Sequence, residues 1–347
     1  MIPTLGFCSG KAGVGTTSLV YHLAWLYAEQ GYRVLAVDLD PQVDLTAKMV
    51  DEEQLAALWG NAVTLARSLI DADPAQPGIV LPREPIAGNL ELLVGDLRVS
   101  WLEPVLAAQW ERCLQGDPHA LGVTMGFAHR IQQAASDGSF DVVVVDLGPS
   151  PSAVNRAALL ACQYLIVPMA PDLFSMQGLQ TLALELRSWD AGWREWLPRN
   201  RAGIEVPGAL AQPVGYVVRL HPLRLDHPAA PAQPSSKLIS EPPGTLDGNA
   251  RSALGWWSVL PDVYATSFRE SNPAADPSSD PRCLGTLQWY GSLMPMALEA
   301  RKPIFQLRPA DGALGAHGRG VREARKNYEQ MAARIAAATW RPASQKR

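Results

Sequence analysis

The stretch that most constrains this chain is its start, residues 2–18, IPTLGFCSGKAGVGTTS. Residues 2–7 form an apolar run that reads as a buried strand. The run breaks at Ser9 into a loop of small residues, Gly10, Lys11, Ala12, Gly13, Val14 and Gly15, and then into a helix opening with Thr16, Thr17 and Ser18. A tight glycine-rich turn between strand and helix leaves backbone N–H groups free to curl around an anion at the positive end of the helix. Gly10 and Gly15 stand at the two glycine positions of the phosphate-binding spacing G-x-x-x-x-G-K-[ST], and Thr17 at the hydroxyl that holds a phosphate-bound Mg²⁺. The lysine position of that spacing is Thr16.

The residues that follow turn this loop into a fold. Leu19, Val20, Leu23, Leu26 and Tyr27 recur at helical spacing up to Gly31, a usual helix-stopping residue. Residues 33–38 then run Val34, Leu35, Ala36, Val37 without alternation, as strands buried on both faces do. Strand, loop, helix and strand make a βαβ unit, so the sheet is parallel and ligands belong at its carboxyl edge. Asp38 and Asp40 end the second strand at that edge. Further strands are expected at 90–94, 141–146, 164–168 and 214–218, with helices through most of 51–135, at 178–189 and at 319–338. A Pro/Gly-rich interruption falls at 74–88. Residues 226–250 and 271–281 are rich in Pro, Ala, Ser and Gly and read as extended surface loops. Between them Trp256, Trp257, Val259, Val263 and Tyr264 form an apolar island expected to dock as a helix. The chain reads as one domain, 1–347, with a Pro-rich insertion at about 221–283.

Composition excludes several classes. With 47% hydrophobic and 18% charged residues the chain supports a large core. Its net charge of −4 gives no global attraction for nucleic acid, so any contact with DNA needs a local basic patch. Cys8, Cys113, Cys162 and Cys283 have no C-x-x-C spacing and read as core thiols. No apolar run reaches the roughly 18 residues a membrane span needs. Met1 leads into a core strand with no basic start, so a cytoplasmic protein is expected. Trp189, Trp193 and Trp196, interleaved with Arg187, Arg194 and Arg199, would suit stacking on nucleic acid; an amphipathic helix packing its aromatic face on the sheet accounts for them more simply.

Lys11 directly after Gly10, in KAGVGTTS, resembles the deviant loop K-G-G-x-G-K-[ST] of ParA/MinD-type ATPases. Residues 33–42, RVLAVDLDPQ, resemble that family's second carboxylate motif, and 140–150, FDVVVVDLGPS, its metal-side strand and switch. Residues 162–182 resemble its next strand and helix. Residues 294–312, MPMALEARKPIFQLRPADG, resemble the segment that closes over the base, with Arg308 and Pro309 at the nucleotide. The motifs occur in order over most of the chain.

The resemblance implies an α/β, three-layer P-loop NTPase fold, with a mainly parallel sheet flanked by helices, and a homodimer that sandwiches ATP or ADP with Mg²⁺. It implies a loop cradle from Gly10 to Ser18, with Lys11 reaching the partner's phosphates and Asp40 orienting the attacking water. Thr17, Asp38 and Asp146 would serve the metal, and the Gly148 N–H the γ-phosphate. It also implies non-specific DNA binding, here by Arg319, Arg322, Arg325 and Lys326, and a ParB-like or other regulatory partner protein. The tail lacks the basic amphipathic helix of membrane-surface relatives, so no membrane contact is expected. Two departures bear on activity. Thr16 removes a charged hydrogen bond worth about 1.5–3 kcal/mol, roughly ten- to a hundred-fold in ATP affinity. Ala12, where the family has glycine, adds a Cβ near the phosphates or the dimer seam. The alternative is a degenerate scaffold that keeps the fold to bind a partner protein without catalysis.

Overall fold

The computed structural model describes residues 2–61, 64–70, 81–200, 205–220 and 253–340. Eight strands form one sheet: β1 Thr4–Phe7, β2 Val34–Asp38, β3 Glu84–Ala87, β4 Leu90–Leu93, β5 Val142–Asp146, β6 Tyr164–Met169, β7 Gln212–Arg219 and β8 Cys283–Leu287. Their spatial order is β3-β4-β2-β5-β1-β6-β7-β8. Every pairing is parallel except that of β3 with β4. β1 therefore lies in the interior of the sheet, with β5 and β6 on either side.

The α/β three-layer expectation holds, and burial explains why the strands read as unbroken apolar runs. Leu35, Val37, Val143, Val145, Leu165 and Val167 face one core, against the helices Leu102–Leu114, Gly126–Asp137, Ala153–Leu159 and Leu173–Trp196. Val34, Ala36, Val142, Val144, Leu5 and Phe7 face the other, against Thr16–Glu29 and the carboxy-terminal helix Ala316–Ala338. The tryptophans belong to the first core. Trp193 is fully buried, its ring stacks on Trp110 at 5.8 Å, and its Nε1 donates to the Pro207 carbonyl at 2.8 Å. Arg194 and Arg199 pair with Asp190 and Glu195 on their own or the adjoining turn. The aromatic face packs inward. All four cysteines are buried and free.

Two strands had no clear mark in the sequence. β3 falls in the Pro/Gly-rich interruption and β8 begins at the end of the expected insertion. Both are edge strands, where one unpaired side and a short length weaken the apolar pattern. The island at 253–268 is two helices, Ala253–Trp257 and Leu260–Phe268, and Tyr264 is fully buried beside Tyr216, with ring centroids 5.0 Å apart. The 271–281 stretch is more than a surface loop. Asp280 is 3% exposed and accepts the Tyr216 hydroxyl at 2.8 Å and Arg282 Nε at 2.9 Å. Residues 221–252 of the expected insertion lie outside the described residues.

Candidate phosphate-binding site

Parallel registry brings the site together. Asp38 and Phe7 both stand opposite Asp146, so the strand ends carrying Asp38, Asp146 and the loop are level at one edge. The loop leaves β1 there. Gly13 and Gly15 have φ of 77° and 90°, a left-handed backbone that residues with a Cβ rarely adopt. Gly15 ends the loop as the N-cap of Thr16–Glu29. Gly10 is required for another reason. A Cβ on it would stand 2.0 Å from the carbonyl carbon of Gly178, and one on Gly178 would stand 2.2 Å from the Gly10 oxygen. The loop and the helix Leu173–Trp196 thus touch backbone to backbone.

A second tie joins the same two elements. Lys11 Nζ lies 2.7 Å from Asp172 Oδ2, and its ammonium sits 5.8 Å from the centre of the Phe174 ring. Asp172 also caps the helix, accepting the Ser175 N–H at 2.9 Å. Sequence reasoning passed over Asp172 and Phe174; the only signal is that an aspartate three residues before a serine is a common helix start. Thr16 turns its hydroxyl to Ser9 Oγ at 3.2 Å, and Ser9 Oγ donates to the Lys11 carbonyl at 2.9 Å. Ala12 is exposed at the crest of the loop.

The three aspartates differ in their partners. Asp38 Oδ2 accepts the Thr46 N–H at 2.8 Å and the Thr46 hydroxyl at 2.7 Å, and Oδ1 accepts the Asp40 N–H at 3.2 Å. Its oxygens are committed to the turn after β2. Asp40 Oδ1 accepts the Gln42 N–H at 2.9 Å. Gly148 lies alongside, since a Cβ on it would be 3.7 Å from Asp40 Oδ1. Asp146 is 0% exposed and both its carboxylate oxygens are buried with no hydrogen bond. Burial is the leading cause that raises the pKa of all three. The Asp38 charge raises Asp146 further, and the nearby Thr17 hydroxyl offsets part of it. An orphaned carboxylate among like charges fits a cation or its hydration shell. Among the described residues no cluster of three or more His, Cys, Asp or Glu is placed to hold a metal directly.

An open cleft of about 200 Å³ lies over the loop, bounded by Gly13, Gly15, Thr16, Thr17, Asp40, Leu147 and Pro149. Gln42, Asp44, Lys48 and Arg219 also line it, as do Ser9, Ala12 and Ser18. The structure does not bring Arg308 and Pro309 to this cleft. They are exposed, and their segment is pinned elsewhere, by Lys302 to Asp311 at 2.7 Å and by the Ile304 N–H to His22 Nε2 at 3.2 Å.

A family model described as an AAA domain matches residues 4–193, more than half of the chain. The chain belongs to this family, with the ParA-type P-loop ATPases. Over 178 residues it is 32% identical to the cell division protein PomZ of Myxococcus xanthus, covering 51% of this chain and 49% of that one. Over 188 residues it is 28% identical to the chromosome-partitioning ATPase Soj of Thermus thermophilus, covering 54% and 63%. The chain thus spans about half the length of the curated relatives it matches. Among solved structures, protein DIP2308 of Corynebacterium diphtheriae superposes with a TM-score of 0.66 at 19% identity, covering 97% of this chain and 98% of that one; the likeness is one of fold.

Proposed function

We propose that this ParA-type protein is a nucleotide-dependent switch that binds ATP and Mg²⁺ in the loop cleft and dimerises with nucleotide between two copies. In this reading it serves partition of DNA or positioning of another cargo. One observation carries the proposal: a glycine-rich loop with left-handed Gly13 and Gly15 leaves an interior strand of the parallel sheet and opens a helix whose Thr17 lies beside the fully buried Asp146. A scaffold without nucleotide has no use for a buried carboxylate left unbonded.

Backbone N–H groups from Gly13 to Thr17 would hold the phosphates, and the Thr17 hydroxyl and Asp146 would hold the metal and its waters. Mg²⁺ bound there would neutralise charge on the phosphate oxygens. Asp40, beside Gly148, would orient a water and accept its hydrogen bond. Lys11 would leave Asp172 to reach the phosphates of the second copy. Exposed Arg319, Arg322 and Lys326 on the carboxy-terminal helix would contact DNA phosphates without reading sequence. A regulatory partner protein belongs to the same proposal. Among the described residues no helix is long and apolar enough to cross a membrane.

Thr16 favours a slow switch, because removing a transition-state donor costs about 3–4 kcal/mol, a hundred-fold or more in rate. The test is ATP–Mg²⁺ titration calorimetry and steady-state ATPase on the protein and on Thr16→Lys. Binding by the protein, with turnover that rises about a hundred-fold in Thr16→Lys and is lost on adding Asp40→Ala, supports the switch. Absence of ATP binding in both forms refutes it and leaves the scaffold reading.

A further inference from the structure

We propose that Arg219 supplies a bound polyphosphate with the positive charge that Thr16 lacks; the inference rests on the nucleotide-switch reading above. Arg219 is the last residue of β7, two strands from β1. Its side chain crosses the carboxyl edge of the sheet to the loop. One guanidinium nitrogen donates to the Gly13 carbonyl, and its Cδ lies 3.8 Å from where a Cβ on Gly15 would stand. The side chain lines the same cleft as Thr16, Thr17 and Asp40.

Three features suit it to an anion. The Gly13 carbonyl takes one of five N–H donors, and the planar fork of the rest matches phosphate oxygens. No carboxylate neutralises it: among the described residues Arg219 makes no ion pair. The face of Trp289 lies 5.9 Å from the guanidinium and limits its swing.

Other cations are committed or placed differently. Lys11 is paired with Asp172. Arg301 donates to the Val50 carbonyl at 2.5 Å, and Lys302 is paired with Asp311. Lys48 also lines the cleft, on the helix Asp44–Met49, one turn from Asp44. With Asp40 and Asp44 in the wall, an anion entering without Arg219 meets two carboxylates and one lysine. The arginine at the end of β7 tips that balance.

The experiment titrates the protein with ATP–Mg²⁺ and with inorganic tripolyphosphate–Mg²⁺, which has no base. Arg219→Ala is expected to weaken both ligands about ten-fold or more, the loss of a charged hydrogen bond. Arg219→Gln keeps a donor for the Gly13 carbonyl but no charge, and should lose as much; Arg219→Lys should lose less. In a Thr16→Lys background Arg219→Ala should cost less than about three-fold, because the loop then carries its own cation. Thermal unfolding of each variant establishes that it is folded, and Arg219→Gln carries the test if Arg219→Ala is not. Several outcomes overturn the proposal: full affinity in Arg219→Gln, loss of ATP but not tripolyphosphate binding, an undiminished loss in the Thr16→Lys background, or a larger loss from Lys48→Ala. Binding by Thr16→Lys but not by the unaltered protein also overturns it, while leaving the switch reading intact. No binding by either form removes both.

Discussion

Replacing Gly178 with alanine tests the backbone contact that seats the phosphate loop. The new Cβ would lie 2.2 Å from the Gly10 oxygen and 2.6 Å from its carbonyl carbon. Non-bonded atoms settle near 3.5 Å, so loop and helix must part by about 1 Å. Both obstructing atoms are backbone, and no rotamer change relieves them. Overpacking of this kind costs about 1–3 kcal/mol, here at the upper end, while alanine in a helix interior returns about 1 kcal/mol over glycine. The expected net loss is about 2 kcal/mol, read as a lower urea midpoint at unchanged slope. Gly192 on the same helix is the control. A Cβ there meets only Leu114 Cδ1, at 3.3 Å, so Gly192→Ala should be neutral or stabilising. Gly10→Ala should cost about as much as Gly178→Ala, and the double variant less than their sum, since the first opens the gap the second needs. Equal midpoints for Gly178→Ala and Gly192→Ala would refute the contact as a constraint on the loop.

Asp172→Asn keeps a helix cap but removes the carboxylate from Lys11. About a third of each side chain is exposed, so the pair is worth no more than about 1 kcal/mol. A homodimer releases two such pairs, so nucleotide-dependent dimerisation, followed by light scattering, should shift to at most about thirty-fold lower protein concentration. His22 donates from Nδ1 to the Ser18 carbonyl at 2.6 Å and stacks on Tyr328 at 4.6 Å, and burial lowers its pKa to about 4. A lowered folded value leaves stability intact above pH 6.5 and removes it as pH falls toward 4, because only the unfolded chain takes the proton. The stability advantage over His22→Gln should shrink by about 3 kcal/mol across that window; measuring against the variant cancels the opposite trend of the buried Asp38 and Asp146. For DNA, Arg322→Ala with Lys326→Ala should lower the salt slope of binding by about two per monomer. Arg325→Ala should change it little, since its guanidinium pairs with Glu29 at 2.6 Å and Glu329 at 3.2 Å; an equal effect of Arg325→Ala would count against that assignment.

Local chemistry determined much of this protein. Left-handed glycines, a strand buried on both faces and a helix opening on threonines are properties of a few consecutive residues, so residues 2–38 announced a βαβ unit and its ligand edge. The strands carrying Asp38 and Asp146 were legible for the same reason. β3 and β8 were not: an edge strand draws its stability from one neighbour, here a strand far away in the chain for β8, and needs no strong pattern of its own. Nor did spacing reveal that Gly10 is a packing glycine, that Asp172 holds Lys11, or that Asp38 is taken up by Thr46. The first two depend on distant segments meeting, which the neighbouring places of β1 and β6 in the sheet bring about, and the third on how the turn after β2 folds back on Asp38. Arg219 is the sharpest case. Resemblance puts it after the 214–218 strand, where the family often has an asparagine at the base; that its guanidinium instead reaches the Gly13 carbonyl, beside Thr16, is decided by the strand order that sets β7 two places from β1.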